Sequence, residues 1–101
     1  MIYVTVADDA EAKKIAVALV TEELVACVNI LGAATSIYTW KGTVEEAQEI
    51  VLICKTQRHL ADAVAARVKS LHSYETPCIT VYRMDAAYPP FLDWIVESTA
   101  S

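Results

Sequence analysis

The order of β-like and helical patterns predicts one α+β domain, residues 1–101, with a ferredoxin-like βαββαβ antiparallel sheet. Two helical patterns each lie between β-like runs, which gives βαβ followed by βαβ. Residues 24–56 indicate an extended hairpin of the second and third strands, and a short helical pattern ends the chain. Two such units pack as one four-stranded sheet with both helices on the same face.

Alternation and helical spacing predict the first strand and the first helix. Residues 2–7 alternate between two sets of side chains, which is typical of a strand. Asp8 is placed to cap a helix, and Glu11 follows at the spacing of a capping box. The helix is expected to end near Leu24. Its buried face is formed by residues at helical spacing: Ala12, Ile15, Ala16, Leu19 and Val20.

The hairpin is predicted from two β-rich runs that exceed the usual strand length of about 5–6 residues. They flank Lys41-Gly42, the only strong turn signal in this stretch. Gly32 interrupts the first arm and indicates a bulge or a bend. The second arm begins with polar residues, so we expect a solvated tip: Glu45, Glu46, Gln48 and Glu49.

The second half of the chain repeats the alternation of helix and strand. Thr56 is a suitable cap for the second helix. Its buried stripe is expected at Leu60, Val64, Val68 and Leu71. A polar loop, residues 72–77, leads to a strand predicted over residues 78–84. Prolines after Tyr88 predict the start of a short last helix, and the tail, residues 97–101, is expected to fray.

Composition argues against several classes of partner. The formal net charge is −5 and the basic residues do not cluster, which disfavours nucleic acid and an anionic membrane surface as ligands. The first residues lack the basic segment of a signal peptide, and no apolar run reaches the roughly 18 residues of a membrane span. The three cysteines are odd in number and lie in apolar runs, so we expect a reduced, cytoplasmic protein.

Two predicted strands are apolar on both faces, which indicates contact with other subunits. Residues 50–53 and 78–82 lack the alternation of an antiparallel sheet with one wet face. The predicted helices cover only one face, and the apolar fraction of 55% exceeds the usual value of about 45–50%. We therefore expect a homo-oligomer whose copies cover the second face.

Each residue that could carry chemistry also has a structural interpretation. Cys27 could bind a soft metal or act as a nucleophile, or it could be a small buried hydrophobe. His72 could bind copper or zinc, or it could interact with the preceding helix end. Cys54 and Cys78 are more typical of packing. No cysteine or histidine spacing supports a closed structural zinc site.

Two further polar groups are candidates for a site. Tyr74 and Glu75 share a loop with His72, where they form either a polar site or a hydrogen-bonded turn. Glu49 and Lys55 flank the apolar run of the third strand and point to one side of a regular strand. Each is either a charge that protects a sheet edge or a group that faces a ligand.

Five segments together resemble the CutA divalent-cation tolerance family, in order and over nearly the whole chain. They are LVACVNI at 24–30, SIYTWKG at 36–42, EIVLICKT at 49–56, HSYETP at 72–77, and Tyr88 through Trp94-Ile95. The resemblance implies a ferredoxin-like homotrimer in which the long hairpin contributes to subunit contacts, with an architecture similar to PII signalling proteins. It also implies tolerance of divalent metals, including copper, and no enzyme activity.

The same resemblance implies site residues. Cys27 and His72 match positions that are implicated in metal binding in the family. The remaining polar and aromatic matches are expected near a cleft between subunits: Trp40, Glu49, Lys55, Tyr74 and Glu75. Ser73 stands where the family usually has proline, so we expect a less rigid loop. Cys78 stands where an acidic residue is frequent, and beside a buried strand it is not expected to be a ligand.

Three functional hypotheses follow. The first is a cytoplasmic homotrimer that binds or senses divalent metal, with copper as a labile ion and no organic cofactor. The second is a PII-like module that binds a small anionic metabolite, with Lys55 as the cation and an aromatic side chain as a stacking surface. The third is an enzyme that uses Cys27 as nucleophile with His72 and Glu75. The resemblance favours the first hypothesis.

Overall fold

The computed structural model describes all residues, 1–101, as a four-stranded antiparallel sheet with a helical layer on one face. The elements are β1 (Ile2–Val6), α1 (Asp9–Thr21), β2 (Cys27–Trp40), β3 (Thr43–Lys55), a 3₁₀ turn (Arg58–Leu60), α2 (Ala61–Leu71), β4 (Ile79–Val81) and α3 (Pro89–Ser98). The strand order is β2-β3-β1-β4, and each neighbouring pair is antiparallel. The predicted ferredoxin-like βαββαβ fold is therefore confirmed.

The hydrophobic core lies between the sheet and helices α1 and α2. Alternate strand residues face it, including Val4 and Leu52, which pair across β1 and β3 and are fully buried. Cys54 is also fully buried there, and burial raises the pKa of its thiol to about 11. Its predicted packing role is confirmed. The helices contribute residues at helical spacing: Ala12, Ile15, Leu19, Val64 and Val68.

The β2–β3 hairpin extends well beyond the rest of the sheet. β2 has 14 residues and β3 has 13, whereas β1 has five and pairs with β3 only from Ile50 to Cys54. The molecule is accordingly elongated, with extents of 45 × 25 × 22 Å. The register shifts between Leu31 and Ala34, which confirms the bulge predicted at Gly32.

The hairpin ends in a two-residue turn with both central residues in the left-handed region. Trp40 pairs with Thr43, and the φ angles of Lys41 and Gly42 are 50° and 80°. Positive φ at both positions is the signature of a type I′ turn, whose twist matches that of the two strands. The turn predicted at Lys41-Gly42 is confirmed.

The start of the second helix differs from the prediction. Thr56 does not cap it, because its hydroxyl donates a hydrogen bond to the Leu24 carbonyl at 2.6 Å. The 3₁₀ turn intervenes, and α2 begins only at Ala61 without a side-chain cap. Thr56 is buried and joins the end of β3 to the segment before β2. A long-range acceptor therefore displaces the local capping role.

Three other boundaries also differ from the predictions. α1 ends at Thr21, because Glu23 adopts a φ of 58° and breaks the helix before Leu24. β4 covers only Ile79–Val81, so Cys78 precedes the strand. The tail is held through residue 100.

The tail contacts are specific. The Thr99 hydroxyl donates to the Ile95 carbonyl and accepts a bond from the side-chain amide of Gln57, both at 2.8 Å. The backbone amide of Ala100 donates to the Glu23 carbonyl at 2.9 Å. The prediction that the whole tail frays was wrong, because these bonds anchor it to two other segments.

Large apolar side chains of the extended hairpin are uncovered in a single chain. Ile37 and Val44 are 68% and 72% exposed on one of its faces. Leu31, Tyr38 and Trp40 are exposed on the other. The expectation that further copies cover them stays a prediction. The longest helix, α1, has 13 residues, fewer than the roughly 20 of a membrane-spanning helix.

The two glycines of the chain give a matched test of the turn. A Cβ at Gly42 would meet no atom within 4 Å, so Gly42→Ala creates no clash. It should lower the free energy of unfolding by about 1 kcal/mol, because alanine is disfavoured in the left-handed backbone conformation of this residue. Gly32→Ala has equal space and no positive φ, so its free energy of unfolding should change by less than about 0.5 kcal/mol. Urea unfolding at one fixed protein concentration measures both. Equal effects of the two substitutions would contradict the assignment of strain to the turn.

Candidate functional site

An open cleft of about 530 Å³ lies between the extended part of the hairpin and the loop of residues 72–78. We call it the hairpin cleft. The hairpin provides Tyr38, Trp40, Glu45, Ala47 and Glu49, β1 provides Thr5, and the loop provides Tyr74, Glu75, Thr76 and Cys78. Two elements distant in sequence thus form one concave surface.

Four of the predicted site residues meet in this cleft, and three do not. Trp40, Glu49, Tyr74 and Glu75 line it. Cys27 and Lys55 pair with each other at the base of the hairpin. Lys55 is six residues along β3 from Glu49, which is about 20 Å in an extended strand.

A hydrogen bond joins the two sides of the cleft. The hydroxyl of Tyr74 donates to Oε2 of Glu49 at 3.2 Å. Glu49 is only 9% exposed although it is charged. Burial raises the pKa of Tyr74, and the charge of Glu49 raises it further, because both disfavour a phenolate. Tyr74 therefore remains a hydrogen-bond donor to Glu49 over a wide pH range.

His72 is the first residue of this loop, and its buried side chain forms hydrogen bonds with two backbone groups. Its side chain is 0% exposed. Nε2 lies 2.7 Å from the Thr5 carbonyl oxygen, to which it donates, and Nδ1 accepts a bond from the Tyr74 amide at 3.0 Å. Both ring nitrogens are thus engaged. A metal ion could bind His72 only after one of these bonds breaks.

Glu11 is a contributor that sequence reasoning missed. Asp8 caps α1 by accepting a bond from the Glu11 amide at 2.8 Å, as predicted. The Glu11 carboxylate, however, accepts bonds from the Ser73 amide at 3.0 Å and the Ser73 hydroxyl at 2.7 Å. The capping-box spacing predicted that the Glu11 side chain binds the helix N-terminus, whereas it binds Ser73.

Ser73 is consequently better anchored than expected. A proline at this position has no amide hydrogen and could not make the first of these bonds. The expectation that Ser73 makes the loop less rigid stays a prediction, although its amide and hydroxyl both bind Glu11.

Cys78 is exposed and lines the hairpin cleft, so the packing role predicted for it was wrong. The strand begins one residue later than predicted, which leaves the thiol outside the buried part of the sheet. Its sulfur lies 3.7 Å from the Thr80 hydroxyl. The cleft therefore offers one thiol in addition to its oxygen groups.

The charge of the cleft is negative. Its lining includes the carboxylates of Glu45, Glu49 and Glu75 and no lysine or arginine. Such a lining attracts cations and repels anions. Within one chain, no three histidine, cysteine or acidic side chains are close enough to form a metal site.

Comparison with known proteins gives a consistent family. The family model described as CutA1 divalent ion tolerance protein matches residues 1–98. The Divalent-cation tolerance protein CutA of Thermus thermophilus is 42% identical over 99 residues, which is 98% of this chain and 96% of that protein. Protein CutA of Mus musculus is 39% identical over 99 residues, and there the chain spans only 56% of the relative.

Solved structures agree with the fold. The structure from Thermus thermophilus has a TM-score of 0.95 at 42% identity, covering 98% of this chain and 96% of that one. CutA from Xylella fastidiosa has a TM-score of 0.96 at 35% identity, covering 98% and 95%. A structure from Archaeoglobus fulgidus, at 40% identity, covers 96% and 94%, has a TM-score of 0.93 and is described as periplasmic.

The bond between Tyr74 and Glu49 gives a testable titration. Glu49→Gln keeps an acceptor but removes the charge, so the pKa of Tyr74 should fall towards its ordinary value. Phenolate absorbance measures it, with Tyr74→Phe identifying the signal among the five tyrosines. Glu46→Gln is the matched control, because Glu46 points to the opposite face of β3. A pKa of Tyr74 that is unchanged by Glu49→Gln would rule out the assigned charge effect.

Proposed function

The chain belongs to the CutA1 divalent ion tolerance protein family, and from this membership we propose that it binds divalent cations reversibly at the hairpin cleft. The carboxylate lining of that cleft is the observation that carries the proposal. Glu49 is held nearly buried by Tyr74, whereas Glu45 and Glu75 are exposed and free to move towards an ion. No enzymatic activity is named for the family or for these relatives.

Among divalent ions, copper is the one that we expect to bind most tightly. For a given set of nitrogen, oxygen and sulfur ligands, affinity generally rises from Mn²⁺ to Cu²⁺ and falls again at Zn²⁺. The cleft combines carboxylates with the thiol of Cys78, which as a thiolate suits a soft metal better than Mg²⁺ or Ca²⁺. With few donors in one chain, the ion would be labile.

A homotrimer is part of the proposal. The uncovered apolar residues on both faces of the hairpin support it, because several large exposed apolar side chains on one element are typical of an interaction site. Trp40 and Tyr38 are both exposed and both line the cleft, so a second copy packed on the hairpin would also border the site. The subunit cleft expected from the sequence would then be the hairpin cleft.

The other assignments differ in their support. Metal binding by Cys27 and His72 stays a prediction, and the contacts of His72 give it a role in holding the loop. The PII-like alternative gains little support from the cleft, whose lining has no lysine or arginine, and Lys41 lies over the ring of Trp40, 5.8 Å from its centroid. A cytoplasmic location also stays a prediction.

Calorimetric titration with Cu²⁺ tests the proposed ligands. The double variant Glu49→Gln/Glu75→Gln should bind Cu²⁺ at least about tenfold more weakly, since two carboxylate ligands lose their charge. The matched control is remote from the cleft: Glu97→Gln on α3 should leave the affinity unchanged. Cys27→Ala is measured in parallel. If Cys27→Ala weakens binding tenfold and the glutamine pair does not, the ion binds at the base of the hairpin instead.

Sedimentation velocity tests the trimer. Ile37→Ser/Val44→Ser should dissociate it at micromolar concentration, because each buried aliphatic side chain contributes about 1.5–3 kcal/mol. Val17→Ser/Val96→Ser removes similarly exposed side chains outside the hairpin and should leave the assembly intact. A monomeric wild-type protein, or equal effects of the two pairs, would contradict the proposed interface.

A further inference from the structure

We propose that Glu11 is a positioning residue for the hairpin cleft: through Ser73 it fixes the loop that presents Tyr74 and Glu75 to a bound cation. The inference rests on the proposed function only for the identity of the ligand. Glu11 is not in the cleft itself and acts by holding the residues beside it.

Glu11 extends from a rigid element of the fold. It lies in the first turn of α1, beyond the Asp8 cap, and its neighbour Ala12 is fully buried in the core. The backbone from which the Glu11 side chain extends is therefore fixed relative to the core. The side chain is 12% exposed, and its two bonds to Ser73 lie at the surface of the molecule.

The Glu11 carboxylate accepts two hydrogen bonds from one residue, Ser73. Oε2 accepts from the Ser73 amide at 3.0 Å, and Oε1 accepts from the Ser73 hydroxyl at 2.7 Å. Hydrogen bonds to an ionised carboxylate are shorter and stronger than neutral ones. Two of them on the same residue fix its orientation as well as its position.

Ser73 is linked to the cleft through the residues on either side of it. Ser73 lies between His72, which accepts a bond from the Tyr74 amide, and Tyr74, which donates to Glu49 across the cleft. The contacts therefore run without a gap from α1, through three consecutive loop residues, to the hairpin.

A double-mutant cycle tests the proposal. Glu11→Ala should accelerate hydrogen exchange of the Tyr74 amide and weaken Cu²⁺ binding about tenfold, because the loop loses its anchor. Ser73→Pro fixes the loop backbone by another means and removes both bonds to Glu11. In the Ser73→Pro background, Glu11→Ala should change Cu²⁺ affinity less than about twofold, because the loop no longer depends on Glu11. If Glu11 contributed only to the stability of the fold, Glu11→Ala would weaken binding equally in both backgrounds.

Two controls separate this role from general effects. Asp9→Ala removes a carboxylate of the same helix turn that forms no hydrogen bond or salt bridge with the loop, and it should leave Tyr74 exchange and Cu²⁺ affinity unchanged. Ser73→Ala keeps the amide bond and should give an intermediate acceleration of exchange. Ser73→Ala replaces Glu11→Ala in the exchange measurement if Glu11→Ala does not fold.

The outcomes are distinct. Equal losses of affinity from Glu11→Ala in the wild-type and Ser73→Pro backgrounds would overturn the proposal, because Glu11 would then act by charge or by stability. Unchanged Tyr74 exchange in Glu11→Ala would also overturn it. If the wild-type protein binds no Cu²⁺, the proposed function fails, and the exchange measurements alone confirm or overturn the anchoring by Glu11.

Discussion

The structure depends on a mismatch in length between β3 and the strand beside it. β1 pairs with β3 only from Ile50 to Cys54, so the preceding part of β3 has no strand on that side. Its pairing with β2 keeps it extended. The loop of residues 72–78 lies beside the end of β1, where His72 binds Thr5. The cleft thus forms because β3 extends beyond the end of its neighbour β1.

The bulge decides which residues face this cleft. Before it, Leu31 pairs with Val51, and after it Ala34 pairs with Glu49. Two residues of β2 therefore oppose one of β3, which exchanges the faces of all later β2 residues. Tyr38 and Trp40 consequently share the face of Glu49, whereas an unbroken register would have placed their neighbours there. Gly32 indicated a bulge, but its effect on the faces requires the register, which no local pattern contains.

The accuracy of the sequence predictions followed the range of the interactions involved. Alternation, helical spacing and the Lys41-Gly42 turn are local signals, and the elements that they predicted are present. Thr56 and Glu11 were assigned to local caps, but both bind partners more than 30 residues away. Cys78 was placed in a strand because its neighbours are apolar. Short-range patterns cannot reveal a distant partner that competes with a local one, and for Glu11 that distant partner, Ser73, lies in the loop beside the cleft.

Charge and association are linked in the proposed function. Glu45 and Glu75 are exposed and solvated in one chain, so each gives a cation little net free energy. A second copy packed on Trp40 and Tyr38 would exclude water from the same cleft and lower its effective dielectric constant. Attraction between carboxylates and a cation strengthens as that constant falls, while repulsion among the carboxylates alone also grows. Without the ion, that repulsion opposes closure of the interface. With the ion, the same carboxylates favour closure, and cation binding and subunit association then stabilise each other.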